Sequence, residues 1–157
     1  MSLDSTIRIA QSHLDRGDAL GWFDEVYKAH GDDPNEIPWA RGGPNDLLIS
    51  WLDSNPDVDR ACVVGCGLGD DAAELARRKA SVTAFDLSPT AIALATKRFP
   101  ELAITWQAAN LLALPEAWRR SFDFIFEAYT LQSLPADIRQ QAFEARRTWW
   151  RPAGNWC

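Results

Sequence analysis

The sequence of 157 residues predicts an α/β fold in which helices flank a parallel β-sheet. Two observations lead to this prediction. Four consecutive apolar residues, Ala61 to Val64, are followed by glycines at 65, 67 and 69 and then by a helical pattern over Asp70 to Lys79. Further along, short apolar segments alternate with amphipathic ones, which is typical of a parallel sheet with right-handed helical connections.

The glycine turn between the first strand and its helix indicates a ligand-binding site. Glycine lets the backbone turn sharply and approach a ligand where a Cβ would clash. A second strand, Ser81 to Phe85, leads into Asp86, twenty-one residues after Gly65. A carboxylate there can accept hydrogen bonds from two ribose hydroxyls. Together these features indicate a Rossmann-like nucleoside-binding unit, and a purely structural turn is the alternative.

The remaining elements follow in the order that such a fold requires. Ser88-Pro89 starts a helix that runs to Arg98, because serine caps helices and proline is favoured at their first position. Ala103 to Gln107 is predicted as the third strand and Phe122 to Phe126 as the fourth, and Pro135 opens a helix that reaches Trp149. We expect the strand order 3-2-1-4.

The first 55 residues are predicted to form an N-terminal helical cap region. Amphipathic patterns indicate helices over Ser5 to Ala19 and Leu20 to Ala29, and a third from Asn45 or Asp46 to Leu52. This region is too small to hold a core of its own. We therefore expect one domain over residues 1–157, with residues 56–157 as the βαβ core.

Composition narrows the choice of partners and compartment. The net charge of −6 disfavours binding to nucleic acid or to an anionic membrane surface, and no apolar run is long enough to span a bilayer. Without a signal-peptide pattern, we expect a cytoplasmic protein. The cysteines at 62, 66 and 157 suggest neither a disulfide framework nor a metal site, and His13 and His30 lie on polar stretches, where we expect them to be solvated.

Several segments together resemble class I S-adenosylmethionine-dependent methyltransferases. Val63 to Gly69 and Asp86 to Pro89 resemble the first two signatures of that class. Gly21 to Tyr27, followed by Ile37 to Trp39, looks like the N-terminus of the thiopurine methyltransferase-like branch, and Phe122 to Gln132 is similar to its fourth-strand motif. The resemblance covers residues 20–155 and is specific in its combination.

The resemblance implies S-adenosylmethionine as cofactor. Its methionyl group would lie over Gly65 to Gly67, its ribose on Asp86 and its adenine beside Leu87 and Asn110, where many relatives carry an acid. Tryptophans would close over it, although ordinary core packing explains them equally well. The cofactor-binding residues implied are Trp22, Trp39, Gly65, Cys66, Gly67, Asp86, Leu87, Asn110 and Leu111.

The acceptor side is predicted at the carboxyl end of the fourth strand, where Glu127 and Tyr129 are the candidate catalytic residues. Glu127 would assist deprotonation, and its alternative role is to cap a helix or loop. The branch suggests a small-molecule acceptor with a thiol or related soft nucleophile. Such a nucleophile needs only to be ionised, so a dedicated base is not required.

The end of the sequence departs from this pattern. Arg151 to Gly154 looks like the turn before a fifth strand, with Ala153 where glycine is usual, and no further strand is predicted. We therefore expect a C-terminally incomplete domain, with Phe122 to Phe126 as an unpaired apolar edge open to self-association.

A non-catalytic or partner-dependent fragment is one alternative to an active methyltransferase. A nicotinamide-dependent oxidoreductase is another, disfavoured because Asp70 replaces the third glycine of the dinucleotide pattern.

Overall fold

The structure is a computed structural model that describes the backbone of residues 3–31, 33–145 and 150–156 and the side chains of residues 5–31 and 33–145. Within these residues, five strands form one parallel sheet in the order β3-β2-β1-β4-β5. The expected order 3-2-1-4 is therefore confirmed. The strands are β1 (Arg60–Val64), β2 (Ser81–Asp86), β3 (Ile104–Ala108), β4 (Phe122–Glu127) and β5 (Trp150–Trp156).

Seven α-helices are described around this sheet, close to the predicted ranges. A four-residue helix directly after β4 was not predicted. The predicted end of the last helix, at Trp149, lies outside the described residues. The helices are α1 (Leu3–Asp15), α2 (Trp22–His30), α3 (Asp46–Ser54), α4 (Asp70–Arg77), α5 (Pro89–Arg98), α6 (Thr130–Ser133) and α7 (Ala136–Ala145).

The expectation of an unpaired fourth strand is wrong. β5 pairs in parallel with β4, with Phe122 opposite Trp150 and Ile125 opposite Trp156, and the register shifts between Phe122 and Phe124. Sequence reasoning treated Pro152 and its neighbours as a turn, but proline is accepted in an edge strand or at a bulge. The fifth strand is thus present, and self-association through an open β4 edge loses its structural basis.

The central strands β1 and β4 are buried on both faces of the sheet, which explains their continuous apolar runs. On one face Val63 and Phe124 pack with Leu48 and Leu75 from the helices. On the other, Cys62 and its neighbours on β2 and β4 form a second cluster with partly buried residues from the loop between β3 and β4. Because both central strands are clamped in this way, their carboxyl ends are held in fixed positions.

The N-terminal region packs on this core through α2. Asp24 accepts hydrogen bonds from the Ser88 hydroxyl at 2.6 Å and from the Thr90 amide at 3.1 Å, both at the start of α5. Burial opposes ionisation of Asp24, but bonds from Lys28, Ser88 and Thr90 outweigh it and lower its pKa to about 2. Ser88 also accepts from the Ala91 amide, so it caps α5 as predicted.

The expectation that the histidines are solvated is wrong for His13. His13 is buried, and its two ring nitrogens contact the carboxylates of Asp18, at 2.8 Å, and Glu25, at 2.5 Å. Packing of α1 against α2 removes this ring from water, and the two acids replace its hydration. His30 is partly buried, with Nδ1 at 4.0 Å from Glu36. Among the described residues, no helix has the length and apolar character needed to cross a bilayer.

Candidate active site

A cavity opens at the carboxyl ends of β1, β2 and β4, beneath the N-terminal region. In parallel sheets this edge is where ligands bind, because the loops that follow the strands converge there. Four loops of the core and two segments of the N-terminal region contribute to the cavity. Its lining includes Leu20, Phe23, Tyr27, Trp39, Ala40, Arg41, Gly65, Cys66, Gly67, Leu68, Asp86, Leu87, Ala109, Asn110, Leu111, Leu112, Ala128, Tyr129 and Thr130.

The glycine turn is packed too closely to accept side chains at two of its positions. Gly65 and Gly67 adopt positive φ angles of 60° and 51°, which L-residues with a Cβ rarely adopt. A Cβ on Gly65 would overlap the Thr130 side chain, and one on Gly67 would lie 2.9 Å from the Tyr27 hydroxyl. The turn therefore requires glycine at both positions, and both line the cavity.

Asp86 lies at the end of β2, with its carboxylate fixed by backbone amides. One oxygen accepts from Gly67 N and the other from Ser88 N, each at 2.9 Å. Burial raises the pKa of Asp86, and the two amide bonds partly oppose that rise because they favour the charged form. A carboxylate oxygen has two lone pairs, so each oxygen can accept a further hydrogen bond from a ligand hydroxyl.

The residues predicted on the adenine side belong to the lining of the same cavity. Leu87, Asn110 and Leu111 all line it, and Leu87 is 37% exposed. Asn110 Oδ1 accepts from the Leu112 amide at 2.9 Å, which fixes the orientation of the side-chain amide. Two apolar side chains and one amide therefore surround a space that suits a flat heterocycle.

The two predicted tryptophans differ in their position relative to the cavity. Trp39 lines the cavity, and its indole N–H donates to the Tyr27 hydroxyl at 2.7 Å. Trp22 stacks on Phe23 with ring centroids 3.9 Å apart and meets Trp39 edge-on at 5.8 Å, and it is not among the described lining residues. The packing role is therefore favoured for Trp22, and a cofactor-facing role for Trp39.

Glu127 and Tyr129 also differ in their placement. Glu127 Oε1 accepts from the Leu131 amide at 2.9 Å and so caps α6, and Glu127 is not among the described lining residues. This is the capping role given above as the alternative to a base. Tyr129 lines the cavity, is 51% exposed, and has a left-handed backbone with φ of 66°. Only Tyr129 is placed to face an acceptor.

Sequence reasoning did not identify Tyr27, Arg41 and Thr130 as site residues. Tyr27 is buried beside Gly67, and burial, followed by the charge of Asp86, raises its pKa. Its hydroxyl therefore stays protonated and can donate. Thr130 follows the fourth strand closely, a position that could have indicated it, whereas the approach of Arg41 to Tyr129 spans 88 positions in sequence and leaves no local signal.

Neither a reactive thiol nor a metal centre is indicated within the described residues. Burial raises the pKa of the Cys66 thiol, and the nearby Asp86 carboxylate adds to the rise. The thiol therefore stays protonated and is a poor nucleophile. No group of three His, Cys, Asp or Glu side chains in the described ranges could hold a metal ion.

The fold and the cavity define a nucleoside-binding α/β domain, and comparison with known proteins assigns its family. A model of the methyltransferase domain matches residues 62–154, which is more than half of the chain. The chain therefore belongs to the methyltransferase domain family. Comparison with curated protein sequences found no match.

Several solved structures are similar to this chain in fold. One of them comes from work on the conversion of a disulfide bond into a thioacetal group during echinomycin biosynthesis. Its TM-score is 0.72 and its identity 29%, and the match covers 85% of this chain and 55% of that chain. The N-methyltransferase NodS from Bradyrhizobium japonicum WM9, in complex with S-adenosylhomocysteine, has a TM-score of 0.68 and 24% identity over 85% and 71% of the two chains. The amino pentose methyltransferase CalS10 from Micromonospora echinaspora, with bound S-adenosylmethionine, has a TM-score of 0.59 and 25% identity over 71% and 46%. This chain thus spans about half the length of the first structure.

The family and these structures identify S-adenosylmethionine as the cofactor of the site, and the residues present fit it. Gly65 and Gly67, where an added Cβ would meet Thr130 or Tyr27, put main chain on the cavity lining. Asp86 offers an oriented carboxylate for the ribose, and Leu87 and Leu111 flank the space beyond it. At the third glycine position of the dinucleotide pattern, Asp70 instead forms a bidentate ion pair with Arg98, which counts further against a nicotinamide site.

Proposed function

We propose that this chain forms an S-adenosylmethionine-dependent methyltransferase that acts on a small molecule, with a thiol or a related soft nucleophile as acceptor. The observation that supports it most is the glycine turn and the buried Asp86 carboxylate on one cavity, joined by a hydrogen bond from Gly67 N to Asp86. This arrangement suits a ligand with both a ribose and a charged chain that must lie close to the backbone.

The residues around the cavity then bind the cofactor, orient the two reactants and exclude water. When bound, S-adenosylmethionine supplies a methyl group on a positively charged sulfur. Because that charge disappears as the methyl group leaves, a cavity with little water favours the transfer, and positioning provides much of the acceleration. Tyr27 and Trp39, joined at 2.7 Å, form an aromatic wall beside the glycine turn. An aromatic face there also attracts a sulfonium.

The acceptor is proposed to be a thiol because every carboxylate among the described lining residues already has a protein hydrogen-bond or ion-pair partner. Glu127 is occupied in capping α6, and Asp86 is placed for the ribose. An amine must lose a proton to become a product, whereas a thiol reacts as the thiolate that forms in solution. The thiopurine-like segments and the sulfur chemistry named for the 29% identical structure also support this choice. An amine is the second candidate, since NodS is named an N-methyltransferase and CalS10 an amino pentose methyltransferase.

The test is direct transfer from trideuteromethyl S-adenosylmethionine to benzenethiol and to aniline, two acceptors that share a ring and differ in the nucleophilic atom. Mass spectrometry of the products should show trideuteromethylation of the thiol in preference to the amine. Asp86→Asn should lower kcat/KM for the cofactor about tenfold or more, since it removes a charged hydrogen-bond partner. Asp57→Asn, at an exposed position before the amino end of β1 and so at the other end of that strand from the cavity, is the matched control. Folded protein that binds the cofactor and methylates only the amine would contradict the thiol assignment.

A further inference from the structure

Asp24 lies on α2 and joins that helix to the start of α5. Its Oδ1 accepts hydrogen bonds from the Ser88 hydroxyl at 2.6 Å and from the Thr90 amide at 3.1 Å, across 64 and 66 positions in sequence. Its Oδ2 lies 2.7 Å from the Lys28 ammonium. A carboxylate acceptor forms stronger hydrogen bonds than a neutral one. Asp24 therefore ties the N-terminal region firmly to the loop that follows β2.

Ser88 connects Asp24 to the carboxylate that is assigned to the ribose. Ser88 is 1% exposed, and both functions of its hydroxyl are used, since it donates to Asp24 and accepts from the Ala91 amide at 2.9 Å. The amide of the same serine donates to Asp86 Oδ1 at 2.9 Å. Hydrogen bonds in such a buried network reinforce one another. The orientation of Asp86 thus depends on the contact that Ser88 makes with α2.

The docking of α2 on the core has a second, apolar part. Val26 and Tyr27 belong to a buried cluster that includes Ala91 of α5. Phe23 and Tyr27, on either side of Asp24 in the sequence, line the cavity. Because the apolar cluster does not involve the carboxylate, it should keep α2 in place when the hydrogen bonds of Asp24 are removed. Loss of Asp24 should then loosen the start of α5 without releasing the helix.

We propose that Asp24 is a positioning residue of the cofactor site, which acts through Ser88 to aim the Asp86 carboxylate at the two ribose hydroxyls. Asp24 is not among the described lining residues, so its effect on the ligand passes through these neighbours. This inference rests on the cofactor of the proposed function and is independent of the acceptor. Asp24 supports the part of the affinity that depends on the ribose hydroxyls.

The experiment is calorimetric titration of S-adenosylhomocysteine and of its analogue that lacks both ribose hydroxyls. The ratio of the two dissociation constants measures the ribose contribution and should be about tenfold or more for the wild type. Asp24→Ala should reduce this ratio by about threefold. Asp24→Asn, which keeps an oxygen acceptor without the charge, should reduce it less, and it provides the same comparison if Asp24→Ala does not fold. A general loosening of the fold would weaken both ligands alike and leave the ratio unchanged.

Two control variants remove related interactions that the proposal does not involve. Lys28→Gln removes the exposed partner of Asp24 Oδ2 and leaves both Oδ1 bonds in place. Asp123→Ala removes an acid that accepts from the Arg60 amide at 3.1 Å, at the amino end of β1 and thus at the other end of the sheet from the cavity. Asp123→Ala should lower Tm, and both controls should leave the ribose ratio unchanged.

A double-variant cycle tests the route through Ser88. In a Ser88→Ala background, Asp24→Ala should change the ribose ratio little further, because the connection is already broken. Additive effects would overturn this route and the proposal with it. An unchanged ratio in the Asp24 variants, with normal binding by the wild type, would overturn this inference alone. A folded wild type that binds no S-adenosylhomocysteine would overturn the proposed function as well.

Discussion

Replacing Gly65 by alanine should damage the turn at the centre of the site. Gly65 has a φ of 60°, and an added Cβ would overlap the Thr130 hydroxyl and lie 2.8 Å from its Cγ2 and 2.9 Å from its Cβ. The left-handed backbone costs an alanine about 1–2 kcal/mol. The overlap costs about 1–3 kcal/mol more, because Thr130 must change rotamer or the loop must move.

The two contributions sum to about 2–5 kcal/mol, which for a chain of this size lowers Tm by roughly 4–20 °C. Gly42→Ala is the matched control, since Gly42 has a φ of 72° and nothing within 4 Å of the added Cβ. Its cost should be the backbone contribution alone, about 1–2 kcal/mol. The comparison of the two variants isolates the steric contribution at the site.

Circular dichroism melts of the single variants and of Gly65→Ala combined with Thr130→Ala measure this contribution. The double variant should recover about 1 kcal/mol or more relative to the sum of the single changes, because the Oγ1 and Cγ2 overlaps are gone. It should not recover fully, since the contact with the remaining Cβ persists at 2.9 Å. Equal losses for Gly65→Ala and Gly42→Ala, or strictly additive effects with Thr130→Ala, would refute the proposed contact.

Three further predictions concern the surroundings of the site. Ser88→Ala should lower the free energy of unfolding by about 2–4 kcal/mol in urea denaturation, because it removes a helix cap and a bond to charged Asp24; a loss below about 1 kcal/mol would contradict this. The pKa of His13 is raised, first by Glu25 and then by Asp18, so its stabilisation is present below the unfolded-state pKa and is lost as pH rises through the raised folded-state value. The Tm difference between wild type and His13→Gln should thus be larger at about pH 6 than at about pH 9, and a difference that grows with pH would contradict it. Asn110→Asp should bind S-adenosylhomocysteine about 3–10 times more tightly, through a charge-assisted bond from the adenine amino group, with no gain for the inosine analogue in the same calorimetric titration.

The elements that the sequence predicted best are those with local signals. The apolar run of β1 leads straight into three alternate glycines, and Ser88-Pro89 marks the start of α5 by the preference of each residue for its position. Asp86 could be placed because it follows β2 directly at a characteristic distance from the turn. Neighbours along the chain dictate each of these features, so no tertiary information was needed.

The elements that were missed depend on contacts between distant parts of the chain. The sequence around Pro152 indicates a turn, because proline weakens a strand pattern. In the structure this segment is β5, which pairs with β4 in an irregular register. The burial of His13 follows from the packing of α1 on α2. Arg41 joins the site only because the N-terminal region folds over the loop after β4. Burial and long-range pairing of this kind leave little trace in local sequence.

Calorimetric titration of S-adenosylhomocysteine tests the central claim, that the glycine turn and Asp86 form a working cofactor site. The wild type and Asp57→Asn should bind alike, and Asp86→Asn should bind at least about tenfold more weakly. The difference between wild type and Asp86→Asn should vanish for an analogue that lacks both ribose hydroxyls, which separates ribose recognition from a change in folding. A folded wild type that binds no S-adenosylhomocysteine, or an Asp86→Asn variant that binds it equally well, would contradict the claim.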